Sequence, residues 1–291
     1  MNTDIENLFK DKVLGHPAGL FVLFFTEMWE RFSFYGMRIL LVLFLTAPII
    51  SDNPGWEWPR EHALALIGTY ASLLYLTPII GGWIADKITG YRMAVVIGCL
   101  IMTLGHAAMA IETTAAFYLG LALLVIGTGF FKPNITSIIS EMYHGKESKK
   151  DGAYTIFYMG VNAGAFFGMM LCGYLAENFG WSWGFGLAGI FMMLGMFQFW
   201  LAKDLFGNIG AKPLKKGETD ISAIEADSKE GKQGNNEVEI KLNPFTLFDK
   251  VLIVLSSIGG LLYLFNDPFE KIQGTNLMPF SLGNLSGTNV V

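Results

Sequence analysis

Long apolar segments separated by short polar turns constrain the fold of this chain more than any other feature of its sequence. Each segment is long enough to cross about 30 Å of hydrocarbon at a rise of 1.5 Å per residue. Hydrophobic residues make up 52% of the 291 residues, and charged residues only 15%. We therefore predict an all-α integral membrane protein with spans at residues 18–47, 62–85, 93–111, 115–139, 153–177 and 183–202.

Positive charge in the polar turns lies almost entirely on one side of the predicted bundle. Lysine and arginine occur in residues 1–17 and in the second and fourth connections, whereas the other three connections together hold only Arg60. The positive-inside rule therefore places the N-terminus and these basic turns in the cytoplasm. Residues 1–17 contain no apolar stretch, so no cleaved signal peptide is expected. The net charge of −5 gives no indication of nucleic-acid binding.

The composition changes abruptly after residue 202. Residues 203–246 are polar and of mixed charge, which predicts a flexible cytoplasmic loop. Residues 247–266 are apolar but marginal in length, so this additional helix is predicted either to cross the membrane or to lie at its surface. Residues 267–291 are rich in Gly, Asn, Ser and Pro and are predicted to be irregular, and the chain looks interrupted there.

The first span carries four formal charges within a run that is otherwise apolar and aromatic. A charged side chain at the centre of a membrane helix costs on the order of 2.5–3.5 kcal/mol, so these groups are expected to face protein or a water-filled cavity. Glu27, Glu30 and Arg31 share one helical face, and Tyr35 and Arg38 continue it from Arg31. The alternatives are ion pairs that only lock this helix to its neighbours, or a soluble amphipathic helix. The apolar run at 39–45 disfavours the soluble alternative.

The fourth span adds Lys132, next to Pro133, which frees a backbone carbonyl and favours a bend. Together with the first span, two carboxylates against three cations leave a net charge of +1. A cavity with that balance would attract an anion such as a carboxylate, and its carboxylic acids could exchange a proton. The alternative for Lys132 is that its ammonium group extends to the cytoplasmic surface.

Several residues in the other spans allow two interpretations. Gly160, Gly164 and Gly168 form a stripe of small residues in span 5 that favours close helix packing. Asn162 beside the stripe would bond either to another helix or to a ligand, and Tyr70 in span 2 would serve either packing or ligand contact. We expect His106 and Glu112, near the outer end of span 3, to face the membrane interface.

The turn between spans 2 and 3 holds a glycine-rich motif with charged residues. It resembles the cytoplasmic signature of the major facilitator superfamily, in which glycines permit a tight turn and the acid caps a helix or pairs with a cation. The alternative is an ordinary polar turn that follows the positive-inside rule. The residues that carry the resemblance are Gly82, Asp86, Lys87, Gly90 and Arg92.

Three further motifs together resemble the signatures of the proton-dependent oligopeptide transporter (POT/PTR) family, a branch of that superfamily. They are Glu27-x-x-Glu30-Arg31-Phe32-x-Phe34-Tyr35 in span 1, Phe130-Phe131-Lys132-Pro133-Asn134 in span 4 and Phe157-Tyr158-Met159-Gly160-Val161-Asn162-Ala163-Gly164 in span 5. The chain departs from the family pattern at Phe34, where the family usually has Tyr. The loss of that hydroxyl puts one possible substrate hydrogen bond in doubt.

The resemblance implies a fold and an activity. The fold is the six-helix N-terminal bundle of a major facilitator protein, and residues 247–266 resemble an extra helix that bacterial members insert between their two halves. The activity is proton-coupled symport of di- and tripeptides across a bacterial cytoplasmic membrane by alternating access, with protons as the coupling ion and no other cofactor. The family has a second six-helix half, which is absent from these 291 residues, so a partial protein sequence is expected.

The resemblance also implies roles for individual residues. It assigns proton coupling to Glu27 and Glu30, and the switchable ion pairs to Arg31 and Lys132. A further set would bind the peptide: Arg38 and Lys132 its terminal carboxylate, and Tyr35, Tyr70 and Asn162 its backbone. The alternative function is a membrane interaction or ligand-binding protein that does not transport. An enzyme is disfavoured because the sequence contains no metal cluster, activated nucleophile or phosphate loop.

Overall fold

The computed structural model of the chain describes residues 8–9, 12–213, 246–279, 281–282 and 285–286. The chain divides into two units, Met1–Pro213 and Leu214–Val291. The first unit is a bundle of α-helices that follow one another along the chain. These helices are α1 (Ala18–Thr46), α2 (Arg60–Ile84), α3 (Tyr91–Met109), α4 (Thr114–Met142), α5 (Glu147–Phe179) and α6 (Trp181–Leu201).

Each predicted span corresponds to one of these helices, which confirms the all-α fold. The largest difference is at α5, which begins at Glu147 rather than at residue 153 because its polar first turns extend beyond the apolar run. Helices α2 to α6 are long and apolar enough to cross a membrane. Helix α1 carries too many charges to qualify by composition alone, yet its 29 residues are long enough and three of its four charged side chains are buried.

The six helices pack in two groups that meet between α3 and α6. Helix α1 packs against α5 and α6, and α4 packs against α2 and α3. Helices α3 and α4 approach closely at glycines: a Cβ added to Gly98 would lie 2.8 Å from the carbonyl oxygen of Gly127, and one added to Gly105 would lie 3.0 Å from that of Gly120. These contacts are backbone to backbone, and a larger residue would separate the two helices.

The predicted stripe of small residues on α5 packs against α1, as the sequence indicates. A Cβ added to Gly160 would lie 2.8 Å from the carbonyl oxygen of Phe24, and one added to Gly164 would lie 2.9 Å from Cβ of Arg31. A Cβ added to Gly168 would collide with the backbone of Phe32. The stripe therefore sets the distance between α5 and the charged helix α1.

Residues 203–213 form an ordered extension of the bundle, contrary to the prediction of a flexible loop. Lys203–Phe206 is a 3₁₀-helix, and the fully buried ring of Phe206 lies 5.5 Å from the ring of Phe199 on α6. Burial of the single Phe206 ring is enough to hold this short turn against the bundle. The prediction missed the contact because the other residues of the segment are mostly polar. The other loop residues, 214–245, lie outside the described part of the chain.

A short antiparallel ladder precedes the first helix and contacts the far end of α4. Strand β1 (Lys12–Val13) pairs with β2 (His16–Pro17). Nδ1 of His16 lies 2.6 Å from the hydroxyl oxygen of Tyr143. Burial, and then the nearby ammonium group of Lys149, lower the pKa of His16 from its usual value. The neutral imidazole is therefore the form that suits this contact.

The second unit contains helix α7 (Leu247–Gln273), which begins with a capping box between Thr246 and Asp249. By length and composition α7 could cross a membrane. It ends seven residues later than the predicted helix 247–266, so the prediction of irregular structure from residue 267 was wrong for 267–273. Side-chain pairs four residues apart, Asn266 with Glu270 and Asp267 with Lys271, extend the helix beyond its apolar run.

Beyond α7, a left-handed glycine at position 274 ends the helix. A second short antiparallel ladder follows, formed by β3 (Ser281–Leu282) and β4 (Leu285–Ser286). In the described residues, β structure is confined to these two ladders. Apart from these short ladders the described architecture is built from helices, and the charged residues of interest lie in the first unit.

Candidate functional site

Three charged side chains of α1 form a buried cluster inside the helix bundle. Glu27 is 5% exposed, Glu30 is 1% exposed and Arg31 is 5% exposed. Nε of Arg31 lies 3.0 Å from Oε1 of Glu27, and it also forms an ion pair with Oε2 of Glu30. Two carboxylates therefore share one guanidinium group. A buried cluster of this kind is sensitive to any change in charge, because little solvent is present to screen it.

Packing from neighbouring helices fixes the position of the cluster. Cζ of Arg31 lies 5.1 Å from the centre of the Phe34 ring, a cation–π distance. The buried hydroxyl of Ser33 donates a hydrogen bond of 2.7 Å to the carbonyl oxygen of Ala188 on α6. Gly164 of α5 lies against the first carbon of the Arg31 side chain. The arginine is thus held between α1 and α5, with the aromatic face of Phe34 beside it, and Ser33 ties the same stretch of α1 to α6.

Lys132 on α4 lies outside this cluster. Its side chain is exposed on the surface of the bundle, although it is close enough to Glu27 to influence that carboxylate electrostatically. None of the ion pairs among the described residues involves Lys132. The structure therefore unites Glu27, Glu30 and Arg31 but does not pair either acid with Lys132.

Tyr70 lies in the interior of the bundle, near Glu30. Its side chain is 4% exposed, and both residues line a narrow void of about 10 Å³. In this arrangement Tyr70 does not reach a ligand on the bundle surface. The same void is lined by His106, which is 1% exposed and so does not face the membrane interface as we expected. Gly189 of α6 leaves room for it, since a Cβ there would lie 3.0 Å from Cβ of His106.

The remaining proposed peptide-binding residues lie at the surface of the bundle. Tyr35 is half-buried, and Arg38 is exposed one turn further along α1. Asn162 is exposed on α5, on a face different from the glycine stripe. Arg38 is close enough to Tyr70 to act on it electrostatically. The polar ridge of α1 thus runs from the buried cluster to an exposed cation.

The glycine-rich motif after α2 forms a turn of π-helix, Ala85–Thr89, that ends at Gly90. Gly90 has a φ of +75°, and a Cβ added to it would lie 2.5 Å from the carbonyl oxygen of Ala211. Both the backbone conformation and the space therefore require glycine at this position. A Cβ added to Gly82 would make only an ordinary contact with Pro133.

The charged residues of this motif connect the turn to its surroundings. Asp86 is close enough to the side chain of Tyr91 to act on it electrostatically, and the ammonium group of Lys87 lies 5.0 Å from the centre of the Trp83 ring. Nη1 of Arg92 donates a hydrogen bond of 3.0 Å to the carbonyl oxygen of Lys203. The motif therefore links the start of α3 to the segment that follows α6.

Glu141, which the sequence analysis did not single out, completes this link. Its carboxylate accepts a hydrogen bond of 2.8 Å from the backbone N–H of Gly210. A carboxylate in the last turn of a helix faces the negative end of the helix dipole, which is unfavourable without a partner. The position of Glu141 near the end of an apolar span was the signal that could have revealed its role.

Comparison with known proteins finds one matching family model and several similar transporters. The family model PTR2, described as the POT family, matches residues 92–223. The chain is 38% identical over 207 residues to "Uncharacterized transporter YclF" of Bacillus subtilis, covering 69% of this chain and 42% of that protein. It is 37% identical over 213 residues to "Di-/tripeptide transporter" of Lactococcus lactis subsp. cremoris, covering 72% and 43%.

Solved structures of peptide transporters share the fold. A crystal structure of peptide transporter POT in complex with sulfate matches with a TM-score of 0.70 and 33% identity, covering 94% of this chain and 55% of that one. A mutant of peptide transporter POT in complex with alafosfalin matches with a TM-score of 0.70 and 34% identity, covering 94% and 54%. The chain spans less than half the length of the curated relatives that it matches. The family model, these relatives and the fold agree: residues 92–223 match the POT family, and most of the chain is similar to POT peptide transporters.

Proposed function

We propose that this chain forms the N-terminal six-helix half of a proton-coupled symporter of di- and tripeptides. The observation that supports this most directly is the buried cluster in which Glu27 and Glu30 share Arg31. A buried acid that gains a proton loses its attraction for the guanidinium, so the charge state of the cluster can bias the packing of α1. The relatives whose names describe peptide transport add support.

The proposed switch exchanges the partners of the buried acids. When one carboxylate binds a proton, Arg31 would remain with the other, and Lys132 would act as the alternative cation on α4. Lys132 is already within electrostatic range of Glu27. The two arrangements would differ in the position of α1 relative to α4. Rocking of one six-helix half against the other would then expose the peptide to each side of the membrane in turn.

The proposed peptide site uses the exposed end of the polar ridge. Arg38 and Lys132 are exposed cations that can receive the terminal carboxylate of a peptide, and Tyr35 and Asn162 offer polar groups for its backbone. Tyr70 would join them only after a rearrangement, because it is buried here. The second half of the transporter would supply the groups for the amino end of the peptide.

The proposed location is the bacterial cytoplasmic membrane, with the N-terminus in the cytoplasm. The basic residues of the second and fourth connections support this orientation. The bilayer would surround the outward faces of the bundle. Peptides and protons are the proposed partners, and no cofactor other than the coupling proton is proposed.

Replacing Glu30 with Gln should abolish the proton dependence of peptide uptake. The amide has nearly the shape of the acid but cannot exchange a proton, so the cluster would remain in one charge state. The test is uptake of a labelled dipeptide by proteoliposomes containing the full-length transporter of which this chain is the proposed N-terminal half, with and without an inward proton gradient. Uptake by Glu30→Gln should equal the level measured without a gradient.

The matched control is Glu177→Gln on α5, because Glu177 is exposed and lies outside the cluster. Gradient-driven uptake by this control should equal that of the parent chain. If Glu30→Gln still responds fully to the gradient, the coupling role is wrong. If the full-length protein binds peptide and never accumulates it, the alternative of a ligand-binding protein without transport is favoured instead.

Replacing Arg38 with Gln should weaken binding of a dipeptide by about 10- to 100-fold, since a hydrogen bond between charged partners contributes about 1.5–3 kcal/mol. A dipeptide with an amidated C-terminus lacks the carboxylate and should bind equally to both proteins. Equilibrium binding in detergent measures both affinities. Arg60→Gln, at the exposed start of α2, serves as the control of equal charge change. An equal loss for both dipeptides would contradict the proposed carboxylate contact.

A further inference from the structure

A cavity of about 540 Å³ lies at one end of the bundle, between the start of α3, the end of α6 and the ordered segment after α6. Its volume is within the range of small-molecule sites in proteins, roughly 300–1,000 Å³. Its apolar wall includes Met93 and Val96 on α3 and Phe199 and Trp200 on α6. Since α3 begins at Tyr91 and α6 ends at Leu201, the cavity lies at the ends of these two helices, where the sequence predicts the boundary of the membrane.

The mouth of the cavity is basic. Arg92, Lys203 and Lys212 line it, together with the single acid Asp204. None of the ion pairs among the described residues involves these three cations. Arg92 uses one nitrogen to hold the carbonyl of Lys203, which leaves further donors of its guanidinium group available. The site therefore combines an apolar wall with an excess of positive charge.

The position of the cavity separates it from the proposed peptide site. The cations and polar groups of that site lie on α1, α4 and α5, whereas the cavity uses α3 and α6. The exposed side chains on these two helices are apolar along their length, among them Leu100, Leu104, Leu194 and Phe197. Such a face is suited to contact with lipid chains.

From this arrangement we infer that the cavity binds an anionic phospholipid. The acyl chains lie along the apolar wall, and the phosphate contacts the cations at the mouth. The end of the bundle that holds the cavity is the one that the charge distribution of the turns predicts to be cytoplasmic. Basic pockets between membrane helices on that side bind anionic headgroups. The inference does not depend on peptide transport, because none of the proposed transport residues lines the cavity.

The experiment is a titration of the detergent-solubilised chain with short-chain phosphatidylglycerol, with bound lipid counted by native mass spectrometry. The test variant is Lys203→Gln/Lys212→Gln, because both side chains are at the surface and neither forms an ion pair among the described residues. Each lysine near an anionic lipid contributes about fivefold, so the loss of two should weaken binding about 25-fold. Circular dichroism establishes that its helix content is unchanged.

The matched control is Lys146→Gln/Lys149→Gln, which removes the same charge from the start of α5, on the same predicted side. It should bind phosphatidylglycerol within about twofold of the parent chain. Short-chain phosphatidylcholine should bind weakly to all three proteins. The inference is overturned if the control loses as much affinity as the test variant, or if phosphatidylcholine binds as well as phosphatidylglycerol. If glycerol phosphate binds as tightly as phosphatidylglycerol, the inference is overturned in favour of a site for free phosphate esters.

Discussion

Replacing Arg31 with Met should reduce the stability of the helix bundle by about 3–5 kcal/mol, the cost of removing one partner from a buried ion pair. Glu27 and Glu30 would then be buried without a cation, because Arg31 forms ion pairs with both. The methionine side chain fills most of the volume of the aliphatic part of Arg31. The loss of stability therefore reflects the missing charge more than altered packing. Reversible unfolding of the detergent-solubilised chain by denaturant, followed by circular dichroism, measures the difference.

A triple variant, Glu27→Gln/Glu30→Gln/Arg31→Met, tests this explanation. It removes all three charges together, so it should be more stable than Arg31→Met alone. Arg60→Met, at an exposed position, should leave stability within about 0.5 kcal/mol of the parent. If Arg31→Met is as stable as the parent chain, the cluster does not have the energetic importance proposed here.

Replacing Gly164 with Ala should destabilise the bundle by about 1–3 kcal/mol, the usual cost of overpacking a close-packed interior. The added Cβ would lie 2.9 Å from Cβ of Arg31 and 3.0 Å from the backbone nitrogen of Phe32. A backbone group cannot move aside as the end of a side chain can, so α5 and α1 would have to separate. The same unfolding measurement reports the loss.

Gly173→Ala is the matched control on the same helix. Nothing lies within 4 Å of a Cβ added there. Because alanine is a better helix former than glycine by up to about 1 kcal/mol, this variant should be neutral or slightly more stable. An equal loss of stability in both variants would mean that the distance between α5 and α1 is not set by the glycine stripe.

The sequence predicted the helices well because membrane spans leave a strong signal. An apolar run of about 20 residues usually forms a helix that crosses the membrane. The ends of α1 and α6 accordingly differ from the predicted ends by no more than two residues. The start of α5 was missed because hydropathy locates only the residues that lie in the hydrocarbon layer of the membrane. The helix itself begins earlier, in polar residues outside that layer. The end of α7 was missed for the same reason.

The candidate site was only partly predictable. Residues on one helix, such as Glu27, Glu30 and Arg31, are placed together by the helical repeat alone. The relation of Lys132 or Tyr70 to that cluster depends on how helices far apart in sequence pack, and no local spacing encodes it. Thus Tyr70 lies inside the bundle beside Glu30, whereas Lys132 is exposed. The burial of His106 likewise depends on a glycine of another helix.

The glycine contacts between α3 and α4 have a mechanical consequence. At Gly98 and Gly105 the two helices touch through their backbones, without an intervening layer of side chains that could deform. Interiors packed in this way have low compressibility and transmit displacement. Helices α3 and α4 are therefore expected to move together, so that a displacement of one helix also displaces the other. A movement of α4 relative to α1, as the proposed switch requires, would then carry α3 with it.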